Sequence, residues 1–238
     1  MSRWATRASE RAVGHGDGCQ NHVVPRERDV QAFDDRARSY ETDWRGRMHL
    51  DIATRSLDLT LAADATPSRV LDVGSGTGML LRLLANRLPE RGQELLGIDA
   101  AAGMVDVASA AADDPRLGFL LGVAEHLPFV DGYFDLVIST TSFDHWEDQA
   151  AGIRECFRVL VPDGHLVLTD LMSPVLLPTT LLGRRGRART RRRAGALLTS
   201  AGFGAVTWHR LYRGIIATAV ASKGPPDPER RRRPDAPL

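Results

Sequence analysis

Nine residues constrain this chain more than any others: Val70-Leu71-Asp72-Val73-Gly74-Ser75-Gly76-Thr77-Gly78. An apolar run carries an acid and ends in three glycines at alternate positions. Met79-Leu80-Leu81-Arg82-Leu83-Leu84 follows with helical spacing. That order reads as strand, tight turn, helix. Glycine admits backbone dihedrals that a side chain forbids, and it lets a ligand touch the main chain. The new helix aims unpaired N–H groups and the positive end of its dipole into the turn. A ligand with a carboxylate or phosphate and a ribose suits such a place. A second run, Glu94-Leu95-Leu96-Gly97-Ile98-Asp99, predicts another strand ending in an acid. Asp99 stands about 20 residues beyond the turn, where a ribose-binding carboxylate belongs in such folds.

Repeated strand and helix signals surround this pair. Strands are expected at 69–73, 94–99, 117–123, 134–139 and 165–170, with helices at 77–88, 101–112 and 147–160 between them. Pro89 with Gly92, Asp113-Asp114-Pro115 and Pro162-Asp163-Gly164 punctuate the series. Short links between such units imply a parallel sheet with helices on both faces, an α/β doubly wound domain. The strands read as continuous apolar runs, as sheets buried on both faces do. Two helices are expected before the first strand, one from Val30 through Phe33, Ala37 and Tyr40 and one at 48–62. After the fifth strand the pattern breaks between residues 171 and 194, where seven arginines cluster from Arg184 to Arg193. A helix at 194–201 and a final strand pair at 203–211 and 214–221 close the domain. Residues 1–28 and the tail at 223–238, polar and rich in arginine, glycine or proline, are expected to be disordered.

The chain is 238 residues long, enough for one ample domain. Its formal net charge of +1 gives no global field toward nucleic acid or a membrane surface. Its two cysteines, Cys19 and Cys156, make neither a disulfide framework nor the clustered ligands of a zinc site, so no metal is expected. That usage points to a reducing, cytoplasmic setting. No apolar run approaches bilayer length, and residues 1–21 lack the apolar centre of a secretory signal.

Glycine spacing separates two ligands. A dinucleotide fingerprint wants glycine at the sixth place from Gly74, which is Met79; the third glycine comes one place early, at Gly78. This GxGxG form resembles the first motif of class I S-adenosylmethionine-dependent methyltransferases. Other blocks extend the resemblance over residues 30–222: Asp99 with Met104, Ala124-Glu125-His126-Leu127-Pro128-Phe129, Phe134-Asp135-Leu136-Val137-Ile138-Ser139, and Phe143-Asp144-His145-Trp146 with the helix ending Phe157-Arg158-Val159-Leu160. It is closest to the small-molecule branch that methylates quinone precursors, often called methyltransferase type 11. The resemblance implies a Rossmann-like seven-stranded sheet, mostly parallel with a reversed C-terminal strand, under a helical N-terminal cap. The domain then spans 29–222, with 171–194 as a variable substrate-side segment.

It also implies roles. S-adenosylmethionine is the expected cofactor. Backbone N–H groups around Gly74, Ser75, Gly76 and Gly78 would cradle its methionine end, and Asp72 would sit near its ammonium. Asp99 would accept from the ribose hydroxyls, cap the following helix, or do both. Ala100 and Met104 would line the adenine, with Ala124, Glu125 and Ser139 completing the cofactor set. The family commonly places an acid just before the Ala-Glu pair; here that residue is Val123, which leaves the adenine amino group to the backbone near Ala124 or to Glu125. Tyr40, Phe143 and Trp146 are expected around a small-molecule acceptor, and His145 is the candidate base, since its unperturbed pKa suits that task. Two other readings stand beside this one: a nucleic-acid methyltransferase using the arginine-rich segments, and a methyltransferase-like shell that binds without catalysis.

Overall fold

The computed structural model describes residues 25–42, 44–89, 92–173 and 190–224. Helix α1 (Pro25–Arg36) begins five residues earlier than the apolar spacing indicates, taking in residues 25–28 that composition assigned to a disordered segment, and leads through a 3-10 turn (Ala37–Ser39) to α2 (Trp44–Ala63). Proline at the first helical position lacks an N–H that would have been unpaired there anyway, which accounts for the early start. The alternation then follows: β1 (Arg69–Val73), α3 (Met79–Arg87), β2 (Glu94–Asp99), α4 (Ala102–Ala110), β3 (Leu117–Leu121) and β4 (Phe134–Thr140). After a 3-10 turn (Phe143–His145) come α5 (Gln149–Val159), β5 (Leu160–Leu171), α6 (Arg191–Ala201), β6 (Val206–Leu211) and β7 (Ile216–Ser222).

The seven strands form one sheet in the order β3-β2-β1-β4-β5-β7-β6. Pairings from β3 to β5 are parallel, while β7 runs antiparallel to both β5 and β6. The chain leaves β1 in one direction across the sheet and β4 in the other, so a crevice opens at the C-terminal ends of β1 and β4, where ligands bind in open α/β sheets. Alternate residues of each strand face opposite layers. On one face, Val70, Leu95 and Ile138 pack against Ala53 and Leu57 of α2 and Leu80, Leu81 and Leu84 of α3. On the other, Leu71, Ile98 and Leu168 pack against Ile153 and Cys156 of α5 and Leu198 of α6. Burial pushes the Cys156 thiol well above its usual range, so it is an inert core group.

Several boundaries differ from those expected: β3 ends at Leu121, β6 starts at Val206 and β7 at Ile216. β5 starts at Leu160, which pairs with Phe134 before the chain bends at Asp163, whose φ is 63°. α6 starts at Arg191, because Thr190 caps it by accepting from the Arg193 N–H at 3.3 Å. Lys223, assigned to a disordered tail by composition, instead donates through Nζ to the carbonyls of Phe157 (2.8 Å) and Leu160 (2.6 Å) at the end of α5. A cation there answers carbonyls that the helix leaves unpaired. The expectations for residues 1–24, for Arg184 to Arg189 and for 225–238 lie outside the described residues. Among the described residues, no helix is long and apolar enough to cross a membrane.

Candidate functional site

The turn after β1 needs its glycines for two reasons. Gly74 and Gly78 have φ of 75° and 77°. A Cβ on Gly74 would lie 2.3 Å from Ser142 Oγ, and one on Gly78 would lie 2.5 Å from the Phe119 ring. The N–H groups of Gly74 and Ser75 both donate to the Ile98 carbonyl, at 2.8 and 3.1 Å, and that of Gly78 donates to the Ser75 carbonyl at 2.9 Å. Gly76 N–H donates to Asp99 Oδ2 at 2.8 Å. The N–H groups of Gly74, Ser75 and Gly76 thus tie the turn to β2, and that of Gly78 closes it on itself. The donors that remain lie at the head of α3, where a helix leaves its first N–H groups unpaired. Met79 and Leu80 of that first turn line the adjoining cleft.

The cleft lies over the C-terminal strand ends and encloses about 1070 Å³, including its mouth. Of the expected cofactor residues it brings together Asp72, Gly74, Ser75, Gly76, Asp99, Ala100, Met104, Ala124 and Glu125. Of the expected acceptor residues it brings in Tyr40, His145 and Trp146. Three expected residues stay out. Gly78 is taken up by packing against Phe119. Ser139 is fully buried, and its hydroxyl pairs with Ser142 Oγ at 2.8 Å. Phe143 turns into the core and meets Trp146 edge-on, ring centres 5.2 Å apart. Glu125 lines the cleft, but its Oε1 accepts from the N–H groups of Glu147 and Asp148 at 2.6 and 3.2 Å, so it also ties down the approach to α5.

The two aspartates differ in their surroundings. Asp72 follows Val70 by two residues, so its side chain leaves β1 on the face covered by α2 and α3. It is only 2% exposed, and its Oδ1 has no hydrogen-bond partner. Burial, aided by the charge of Asp99, pushes its pKa up to about 8. Ser75 Oγ and Thr140 Oγ1 are likewise buried without a partner, and both line the same cleft. An unsatisfied buried polar atom costs roughly 1–3 kcal/mol. Three of them around one cleft mark a place made for a polar ligand, and a ligand cation would restore the Asp72 charge. Asp99 is better served: Oδ1 accepts from Ala101 N–H at 2.9 Å and Oδ2 from Gly76 N–H. Each oxygen keeps a further acceptor site for a ligand hydroxyl. Burial still raises its pKa against the pull of those N–H groups.

The cap is fastened over this end. Asp34 of α1 accepts from Gly103 N–H at 2.7 Å, inside the first turn of α4. Asp34 thus answers an N–H in the first turn of α4 while Asp99 answers that of Ala101 at the N-cap position, whose own side chain cannot serve. Glu41 pairs with Arg82 of α3 at 2.7 Å.

Over β4 the cleft takes a different lining. His145 lies in the 3-10 turn, with its ring edge-on to Phe33 of α1 at 5.0 Å. Asp170, buried at the end of β5 with its pKa pushed up to about 7 by burial, accepts from Asp144 N–H at 3.1 Å and so steadies that turn. Phe33 also lines the cleft. Sequence reasoning missed His49. Its Nδ1 is 2.9 Å from Tyr40 Oη and 3.2 Å from Thr141 Oγ1. The signal was its place four residues before Ala53, one turn earlier on the same face of α2. Thr141 has φ of 56°, a left-handed conformation costing a β-branched residue roughly 1–2 kcal/mol. Nothing in the sequence announces it.

Comparison with known proteins follows the same lines. Residues 71–168 match a family described as a methyltransferase domain. Demethylmenaquinone methyltransferase of Thermotoga maritima is 33% identical over 134 residues, covering 56% of this chain and 52% of that protein. The Thermus thermophilus enzyme of the same name is 36% identical over 126 residues, covering 52% of this chain and 56% of its own. The chain thus spans about half the length of these curated relatives. A Haloferax volcanii protein, solved as a putative methyltransferase in complex with the Trm112 methyltransferase activator, shares the fold. Its TM-score is 0.70 at 20% identity, over 83% of this chain and 96% of that one.

Proposed function

We propose that this protein, whose residues 71–168 match a methyltransferase domain family, transfers a methyl group from S-adenosylmethionine to a small molecule. The observation that carries the reading is the pairing of two unlike carboxylates in one cleft. Asp72, buried with an unpartnered oxygen, suits the ammonium of an amino-acid moiety. Asp99, held by two N–H groups with acceptor capacity to spare, suits a pair of ribose hydroxyls. Met104 and Ala100 border the space beside Asp99 and suit an adenine ring. When bound, the cofactor supplies a methyl group already activated on a sulfonium.

The chain's own work is then alignment and exclusion of water. Phe33 and Tyr40 of the cap and Trp146 beyond β4 wall the acceptor end with rings. Such a lining favours a flat apolar acceptor, and two curated relatives are named for one, demethylmenaquinone. Where the acceptor loses a proton, a base helps; the sequence nominates His145, which lines this end. The test is incubation of the full chain with methyl-labelled S-adenosylmethionine and, separately, demethylmenaquinone and total RNA. Label in the quinone or in another small metabolite supports the reading. Label in RNA alone overturns it.

A further inference from the structure

Three separate elements converge on one ring nitrogen at the acceptor end. α2 buries Ala53 in the core, and one turn earlier it hangs His49 over the end of β4. The cap brings Tyr40 Oη to His49 Nδ1 at 2.9 Å, and the residue after β4 brings Thr141 Oγ1 to the same atom at 3.2 Å. Thr141 does so at φ 56° while its N–H still donates to the Thr169 carbonyl at 2.8 Å, so the strained residue is pinned to the sheet. A ring nitrogen offers either one lone pair or one N–H. Hydroxyls donate to the lone pair and accept from the N–H, so this arrangement satisfies the imidazole before and after it gains a proton. His145, by contrast, turns its ring edge-on to Phe33.

We propose that Tyr40 and His49 form a paired proton acceptor for the methyl acceptor, with Thr141 as its positioning residue; this rests on the methyl-transfer reading. As the acceptor atom bonds the transferred carbon and the carbon–sulfur electron pair returns to sulfur, the acceptor's proton passes to Tyr40 Oη. Tyr40's own proton passes to His49 Nδ1. The pair ends as neutral tyrosine and imidazolium, and solvent reclaims the proton. The step requires the neutral His49 tautomer with its hydrogen on Nε2.

That tautomer is the test. Nitrogen-15 NMR of histidine-labelled full chain, with S-adenosylhomocysteine as the probe, should show His49 Nδ1 bare and hydrogen-bonded. Tyr40→Phe should shift that resonance, leaving Thr141 Oγ1 beside the nitrogen, and leave His145 in place. With demethylmenaquinone as the acceptor probe, His49→Gln and Tyr40→Phe should lower turnover by about 10²–10⁴, with affinity for S-adenosylhomocysteine within about twofold of wild type. Thr141→Val should lower turnover less, and Thr141→Ser should restore it. A hydrogen on Nδ1 with the probe bound, or unchanged turnover in His49→Gln, would overturn this proposal alone. Failure of wild-type protein to bind S-adenosylhomocysteine would overturn the methyl-transfer reading and the proposal with it.

Discussion

Replacing Asp72 with asparagine should make the ligand-free protein more stable and its cofactor binding worse. Burial and the neighbouring Asp99 charge raise the Asp72 pKa from the ordinary 3.8 to about 8. Between those values the folded chain holds a proton that the unfolded chain releases. Stability therefore falls as pH rises from about 4 to about 8. At pH 7 the gap of about 3 pH units, at 1.36 kcal/mol each, sets an upper limit of about 4 kcal/mol. Water entering the cleft and local relaxation reduce this, and about 1–3 kcal/mol should be realised. Asparagine keeps the shape without the charge, so Asp72→Asn recovers that amount. At this chain length each kcal/mol corresponds to about 2–4 °C in Tm. Thermal melts at pH 4, 6 and 8 should show the variant gaining on wild type as pH rises and the two converging near pH 4. With saturating S-adenosylmethionine the order should reverse, because only the carboxylate answers the ligand's ammonium. A variant less stable than wild type at pH 8, or a difference independent of pH, would refute the argument.

Other substitutions test other parts of the site. Asp99→Ala removes the acceptors of Gly76 N–H and Ala101 N–H as well as a ribose contact, and should weaken cofactor affinity at least about tenfold, or 1.4 kcal/mol; an unchanged Kd refutes the ribose role. His145→Ala sets the base nominated by the sequence against the Tyr40–His49 pair: with the pair as proton acceptor it should lower turnover less than His49→Gln and spare cofactor binding, and a larger fall would return the role to His145. Gly74→Ala must both hold φ 75° and meet Ser142 Oγ at 2.3 Å, so it should cost about 2–4 kcal/mol in denaturant melts. Adding Ser142→Gly should return part of that loss; no recovery would contradict the steric account.

The fold was legible because its signals are local. Apolar runs such as Leu95-Leu96 and Val137-Ile138, closed by Asp99 and Ser139, mark strands buried on both faces. The glycine turn marks the β1–α3 junction through dihedrals that only glycine takes cheaply. β1 and β2 accordingly run over the expected spans, Arg69–Val73 and Glu94–Asp99. The long-range parts were hidden. Ser142 closes onto Val73 O at 2.8 Å across 69 residues, drawing the loop after β4 toward the core and Phe143 with it. The hydrogen bonds of Gly74, Ser75 and Gly76 to Ile98 and Asp99 depend on the β1–β2 register, which the local pattern does not show. His49 belongs to no sequence motif; its partners come from the cap and from the residue after β4. Lys223 read as tail because its helix end is built by residues some 65 positions away in the sequence.

The central claim is that one cleft holds a nucleoside sulfonium by a buried acid at its amino-acid end and a second acid at its sugar. Isothermal titration of the full chain with S-adenosylmethionine, S-adenosylhomocysteine, NAD and FAD tests it directly. The account predicts saturable binding of the first two, weakened by Asp99→Ala and by Asp72→Asn, and no heat from the others. Uptake of a nicotinamide or flavin nucleotide with no affinity for either sulfur compound would contradict it.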